Sequence, residues 1–231
     1  MTPPRLALVW LGVVASAQPL AAQVGHDPAR SPYRDIARGS GIVFSGGYFS
    51  GDRGEVDVGP TDGYTFTGRY DLGLGGPVVF TTGASILRLD RFVLDADSSA
   101  ATRKSGPFQN DILMLDAGLN IRLTGSKTWR HLAPYVAGAL GLAFEMTGPS
   151  DPSGYSFGTK FTISPGAGVR IHPGRHLFAV ADFRWTFWRL SYPLTYHIAN
   201  PVDSTTILRP NQEDTDWTSH PWFSVGLGWI F

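Results

Sequence analysis

The chain has no cysteine, so neither a disulfide nor a thiolate metal site contributes to its design. That absence suits a protein that crosses an oxidising compartment without mispairing. No uninterrupted apolar run reaches 18 residues, which excludes a membrane-spanning helix. Charge is sparse, with Asp, Glu, Lys and Arg making up 16 % of the residues against a norm of about 25 %. The 19 basic and 19 acidic residues cancel, so the footprint of a nucleic-acid-binding protein is missing and no nucleic-acid partner is expected. No His, Asp or Glu cluster has metal-ligand spacing, and no metal or cofactor is expected. Aromatics at 13 % and 28 glycines are plentiful, which fits a strand-rich chain with an apolar outer surface.

Both ends point to export. Arg5 precedes an apolar stretch from Leu6 to Ala15, and small residues follow, the order of a secretory signal. Cleavage after Ala17 and cleavage after Ala22 both fit, so residues 1–22 are assigned to the signal peptide. At the other end Phe223, Val225, Leu227, Trp229 and Phe231 alternate with Trp222, Ser224, Gly226, Gly228 and Ile230, mostly small or polar. A period of two is a strand period, with one face apolar and the other small or wet. Residues 23–39, with Pro28, Pro32 and several charges, read as a periplasmic lead-in with a short helical turn expected around residues 33–38.

Period and turn residues predict eight strands near 40–50, 62–74, 77–92, 109–124, 131–147, 158–172, 175–191 and 216–231. The connections at 51–61, 93–108, 148–157 and 192–215 are long and polar, whereas those at 75–77, 125–130 and 172–175 are tight. Regular alternation of short turns and long loops is the pattern of an outer-membrane barrel. Residues 125–128 are therefore a hairpin turn rather than a phosphate loop.

The faces support the same reading. In 109–124, Leu113, Leu115, Ala117, Leu119, Ile121 and Leu123 oppose Met114, Asp116, Gly118, Asn120 and Arg122. In 175–191, Leu177, Ala179, Ala181, Phe183, Trp185 and Phe187 oppose His176, Phe178, Val180, Asp182, Arg184 and Thr186. Apolar outward and polar or small inward is the membrane arrangement, since lipid tolerates no charge at mid-depth. In 77–92 the apolar face runs into Arg88 and Asp90, so a bulge or an exit from the membrane is expected near Ile86. Aromatic girdles are expected from Tyr64, Phe66, Trp185, Phe187, Trp188, Trp217 and Trp222 at one rim, and from Trp129, Trp229 and Phe231 at the other.

The segment from Leu132 to Gly141, with Pro134, Tyr135, Val136, Gly138 and Gly141, resembles the strand opening common in small outer-membrane barrels. With Phe231 and the eight strands, the chain is similar to the OmpA-like and OmpW-like barrel families. The resemblance implies an all-β, eight-stranded antiparallel up-and-down transmembrane β-barrel over residues 40–231, in the outer membrane of a Gram-negative cell. It also implies that Phe231 is an assembly signal read by the barrel assembly machinery, with periplasmic chaperones and outer-membrane lipid as further partners. No cell-wall-binding domain follows the barrel, so anchoring is not implied.

Parity points Arg69, Asp71, Asp116, Arg122, Glu145, Lys160, Arg170, Asp182 and Arg184 into the lumen. An eight-stranded interior is only wide enough for side chains to fill, and unpaired buried charge is costly. A structural plug of paired charges is therefore expected, with a structural or surface-interaction role. The runner-up is a porin-like narrow channel or transporter for small or apolar solutes, supported only by Phe178 and Val180.

No enzymatic activity is expected. Eight-stranded lipid A deacylases use a His-x-Ser pair, and none of His26, His131, His172, His176, His197 or His220 has serine two residues on. Ser219 and His220 are adjacent and point to opposite faces. His197 with Ser191 or Ser204 imitates a palmitoyltransferase-like site, but a loop histidine without catalytic role is favoured. Glu213, Asp214 and Asp216, like Asp95 and Asp97, read as solvated faces rather than calcium loops. The longest loop offers Tyr196, His197, Asn200 and Arg209 as candidate surface contacts, with the extracellular partner unknown.

Overall fold

The computed structural model describes residues 31–37 and 39–231. The signal peptide at 1–22, its cleavage after Ala17 or Ala22, and residues 23–30 and 38 of the lead-in lie outside the described residues.

Eight long strands carry the architecture: β2 (Ser40–Phe49), β3 (Thr61–Gly75), β4 (Val78–Leu94), β5 (Lys104–Arg122), β7 (Leu132–Thr147), β8 (Thr159–Ile171), β9 (Leu177–Ser191) and β10 (Thr215–Ile230). Two more, β1 (Tyr33–Asp35) and β6 (Lys127–Trp129), bring the sheet to ten strands rather than eight. The expected helical turn after Pro32 is instead β1, whose Arg34 pairs with Thr128 of β6. Strands of three residues carry no readable period, so neither is visible to alternation.

All pairings between the long strands are antiparallel; each joins long strands that follow one another in the chain except the last, which joins β10 to β2. β7 pairs with both β5 and β8, and β10 pairs with both β9 and β2, so each long strand has two neighbours. This removes the unpaired edges that an open sheet would present. One end of the sheet carries the long connections 50–60, 95–103, 148–158 and 192–214; the other carries the tight turns. We call these the loop end and the turn end.

Burial alternates along most of each long strand, although residues 104–109 of β5 and 72–75 of β3 are exposed throughout. On β5, Leu115, Leu119 and Ile121 are exposed while Met114, Asp116 and Asn120 are buried. On β4 no bulge interrupts the register near Ile86: pairing with β5 runs unbroken from Val78 and Ile121 to Arg91 and Phe108. Arg88 and Asp90 thus stay on the outward face, nearer the loop end. Below that level no outward position on the eight strands is charged: β9 shows Leu177, Ala179, Ala181, Phe183, Trp185 and Phe187 before Arg189. At about 3.3 Å per residue and a tilt of ~40°, that stretch is roughly 25 Å tall, the height of a lipid-facing band.

One irregularity sets the rim. β3 shifts register between Thr61 and Gly63, with Asp62 at φ 56°. A Cβ at Gly63 would lie 1.9 Å from the Arg88 carbonyl oxygen, so only glycine lets β3 and β4 approach there.

Candidate functional site in the lumen

The interior is filled in three layers, each supplied by the inward parity of the strands. At mid-depth lies an ionic network. Arg69 Nε donates to Asp71 Oδ1 at 3.0 Å, and Arg69 Nη1 donates to Asp182 Oδ2 at 3.1 Å. Arg170 Nη2 stands 2.8 Å from Asp71 Oδ2, and Arg184 Nη1 lies 3.6 Å from Asp116 Oδ1. Tyr135 donates its hydroxyl to the other Asp182 oxygen. Rings complete the packing, with the Arg170 guanidinium 5.3 Å from the Tyr135 centroid and 5.1 Å from that of Phe178. Arg184 lies 5.5 Å from the Trp222 ring. Breaking one member would strand a buried charge, so the group acts as a unit.

Toward the loop end the filling turns apolar. Leu87, Leu89, Ile112, Met114, Trp188 and Leu190 point inward from the strands, and Val58, Tyr155, Phe157, Tyr196 and Leu208 reach in from the loops. Phe49 stacks on Trp188 at 5.4 Å and on His220 at 5.2 Å. Burial raises the phenols of Tyr155 and Tyr196 well above their usual range. Arg91 and Asp151 form a second buried ion pair at 3.3 Å, tying β4 to the 148–158 loop. Nearby, β8 and β9 pair only up to Ile163 and Phe187. Beyond them Lys160, Ser191 and Tyr155 line a groove of about 280 Å³.

At the turn end Ile36 and Ala37 pack against Val43, Tyr135, Phe178, Val180 and Ile230. Beside them lies a cavity of about 380 Å³ lined by Arg34, Thr128, His131, His172 and Arg175 among others. His172 donates its backbone N–H to the His131 carbonyl at 2.8 Å, and His131 Nδ1 bonds the His172 carbonyl at 2.9 Å. The His172 ring stacks on Phe178 at 5.3 Å. Burial, then the charges of Arg170, Arg122 and His131, lower its pKa to about 4.

Of the nine residues that parity sends inward, Arg69, Asp71, Asp116, Arg170, Asp182 and Arg184 meet in the network and are all buried. The other three stand apart. Glu145 Oε2 accepts from the Gly158 amide at 3.1 Å, Lys160 Nζ donates to Ser191 Oγ at 3.4 Å, and half-buried Arg122 lines a cavity at the turn end. Tyr135 belongs to the network by its parity with Ala133 and Ala137, yet nothing in the charge pattern flags it.

The loop assignments change more. Tyr196 is fully buried, and Asn200 is buried with its amide donating to the Ala96 carbonyl at 3.0 Å, so neither is a surface contact. The 192–214 loop folds down over the apolar layer, with a single 3-10 turn at Leu194–His197, and takes both residues with it. His197 Nε2 sits 2.5 Å from Asp214 Oδ1, with no hydrogen bond to a serine among the described residues, and Arg209 is exposed. Exposed instead are Leu194 (74 %), Ile198 (64 %) and Val202 (71 %). Trp188 and Trp222 are buried in the interior rather than set in a girdle, whereas Tyr64, Phe66, Trp185, Trp217, Trp129, Trp229 and Phe231 face outward. The apolar interior also extends far beyond Phe178 and Val180.

No family model matches the chain, and no curated protein matches it in sequence. Its fold is similar to that of several solved proteins. Neisserial surface protein A is 12 % identical, with a TM-score of 0.49 over 87 % of this chain and 98 % of that one. The N-terminal β-barrel domain of OprF from Pseudomonas aeruginosa is 13 % identical, with a TM-score of 0.47 over 84 % and 98 %. The outer membrane protein OprG from the same organism is 13 % identical, with a TM-score of 0.47 over 85 % and 98 %. These structural neighbours are bacterial outer-membrane barrel proteins, and the likeness is one of fold.

Proposed function

We propose that the chain is an exported, eight-stranded outer-membrane β-barrel with a closed lumen, serving a structural or surface-interaction role. The turn end is then periplasmic and the loop end extracellular. One observation carries this reading: side chains occupy the interior at every level, from Phe178 through the Asp182 network to Trp188 and Leu208. A solute path would have to break a buried ion network and part an apolar core together. The uncharged outward band supports contact with lipid. Exposure of Phe231, 61 % just past β10, supports its reading as an assembly signal. Leu194, Ile198 and Val202 supply an apolar surface on a loop held in place from beneath, which favours contact with another molecule over conduction.

Purified protein in planar bilayers tests the closed lumen. We expect no stable single-channel steps; reproducible conductance would overturn the reading. Slower migration after heating and recovery in the outer-membrane fraction are expected for the barrel itself.

A further inference from the structure

Formal charge cancels over the whole chain, yet the fold sorts it between the two ends of the sheet. The four loops carry nine acidic residues against three arginines and no lysine. Asp52, Glu55, Asp97, Asp203, Glu213 and Asp214 are exposed there, whereas Arg209 is the one exposed arginine of the loops. The turn-end connections expose Lys127, Arg130 and Arg175 and contain no acid. A closed lumen requires no such separation. On the same acidic end stand the exposed apolar side chains of Leu194, Ile198 and Val202. Their exposure is built in. Thr195 Oγ1 donates to the Ser153 carbonyl at 2.6 Å, and the Asn200 amide donates to the carbonyls of Ala96 and Ser98. The Val202 N–H donates to Asn200 Oδ1 at 2.6 Å, and the Leu208 N–H returns to the Tyr196 carbonyl at 2.8 Å. Side chains carried on a fixed backbone lose less freedom when a partner covers them.

Where this loop meets 95–103 and 148–158 lies a notch of about 80 Å³. Ile198, Ala199 and Pro152 give it an apolar wall, and Asp97 adds a carboxylate with no hydrogen-bond partner among the described residues. Asp95 also lines the notch, but its oxygens accept from the Asp97 N–H and the Ser98 hydroxyl. An apolar wall beside a free carboxylate suits lysine or arginine, whose stem is apolar and whose head is charged. The other occupants match less well. A second copy would set like charge against like, and a polyanion would be repelled. Among the described residues no three His, Asp or Glu side chains gather to hold a metal ion, so the acidity is spread over a surface. We propose that the loop end docks a basic amphipathic polypeptide, its apolar side chains against Leu194, Ile198 and Val202 and a lysine or arginine in the notch beside Asp97. The inference rests on the surface-interaction role and names the chemistry of the partner.

The test uses the purified full chain in phosphatidylcholine nanodiscs, with empty discs as the reference. The probe is a synthetic amphipathic peptide of lysine and leucine, read by surface plasmon resonance. Saturable binding above the reference is expected, and it should weaken steeply as salt rises, because exposed charges are screened. Two companion peptides should not bind: one with glutamate for lysine, one with serine for leucine. The double variant Leu194→Ser, Ile198→Ser and the single variant Asp97→Asn should each weaken binding by about tenfold or more. Lys127→Ala, at the turn end, should leave it unchanged. All these positions are exposed, and heat-dependent migration on gels checks that each variant still folds. No saturable binding of the lysine–leucine peptide, equal binding of the glutamate peptide, or full affinity in both loop variants would overturn the proposal. So would a dimer of the parent that Leu194→Ser, Ile198→Ser abolishes, since a second copy would then be the occupant. Conductance is read separately: loss of the closed lumen leaves this result standing, and failure here in a silent, heat-modifiable barrel removes only the basic partner.

Discussion

Arg69 and Asp182 meet at 3.1 Å across the lumen, 113 residues apart in sequence. They stand on β3 and β9, which have β2 and β10 between them in the sheet. The pair is therefore a tie across the interior, not a rung between adjacent strands. Asp182 also accepts from Tyr135 on β7, so one carboxylate braces three strands.

Removing that carboxylate should cost much more than a surface change. Asp182→Ala leaves the Tyr135 hydroxyl without its acceptor and Arg69 with Asp71 alone. We expect a loss of about 3–5 kcal/mol, typical of an orphaned buried charge. Urea unfolding in lipid vesicles measures it. Pairing Asp182→Leu with Arg69→Leu should cost less than Asp182→Leu alone, since no cation remains unmatched.

The apolar layer should be as sensitive in a different way. Trp188 is fully buried between Phe49 and Phe157. Trp188→Ala should cost about 3–5 kcal/mol by opening a cavity. Tyr196 and Leu208 rest on the same cluster, so protease should then cut the 192–214 loop at lower concentration. Limited proteolysis of intact cells reads this directly.

A glycine on the closing strand makes a third case. A Cβ at Gly228 would meet the Phe178 ring at 2.2 Å. That ring cannot swing away cheaply, because His172 stacks on it and the Arg170 guanidinium lies 5.1 Å from its centroid. Gly228→Ala should destabilise by about 1–3 kcal/mol. Phe178→Leu in the same chain should recover part of the loss, which paired unfolding curves would reveal.

His172 gives the turn end a pH dependence. Its pKa falls from 6.5 to about 4 on folding, chiefly through burial and then through Arg170, Arg122 and His131. The unfolded chain thus binds the proton first as pH drops. The contribution from neutral His172 is complete above pH 6.5 and is lost progressively down to about 4. Arg34, Asp35 and Arg175 line the same cavity, and their charges face the ring as it titrates. The parent should lose more stability over this window than His172→Phe; equal losses would contradict the assignment.

Much of this was written in alternation. Period two places the long strands and their inward faces, because a half-lipid, half-lumen strand must change polarity at each residue. The same rule held the answer for Trp188 and Trp222: they share parity with Arg184 and Ser224, so they had to point inward. Grouping tryptophans by height rather than by face hides this. β5 begins at Lys104 instead of near 109, since its first residues lie above the band where polarity must alternate. Tyr196 and Asn200 could not be placed at all from sequence, because a loop's descent onto a core depends on contacts such as those with Ala96 and Ser153, far along the chain. His172 carried no motif, and only the meeting of two turns reveals its surroundings.

The pairing of β2 with β10, from Gly41 opposite Ile230 to Phe49 opposite Trp222, imposes a schedule on the molecule. Every other junction of the ring joins strands that emerge in sequence, whereas this one must wait for nearly the entire chain. Until then β2 and β9 each expose a backbone edge able to recruit another polypeptide. Closure is thus a long-range, late event, slow by the entropy of bringing distant segments together. The interval before it is when the unclosed chain is most open to pairing with a neighbour.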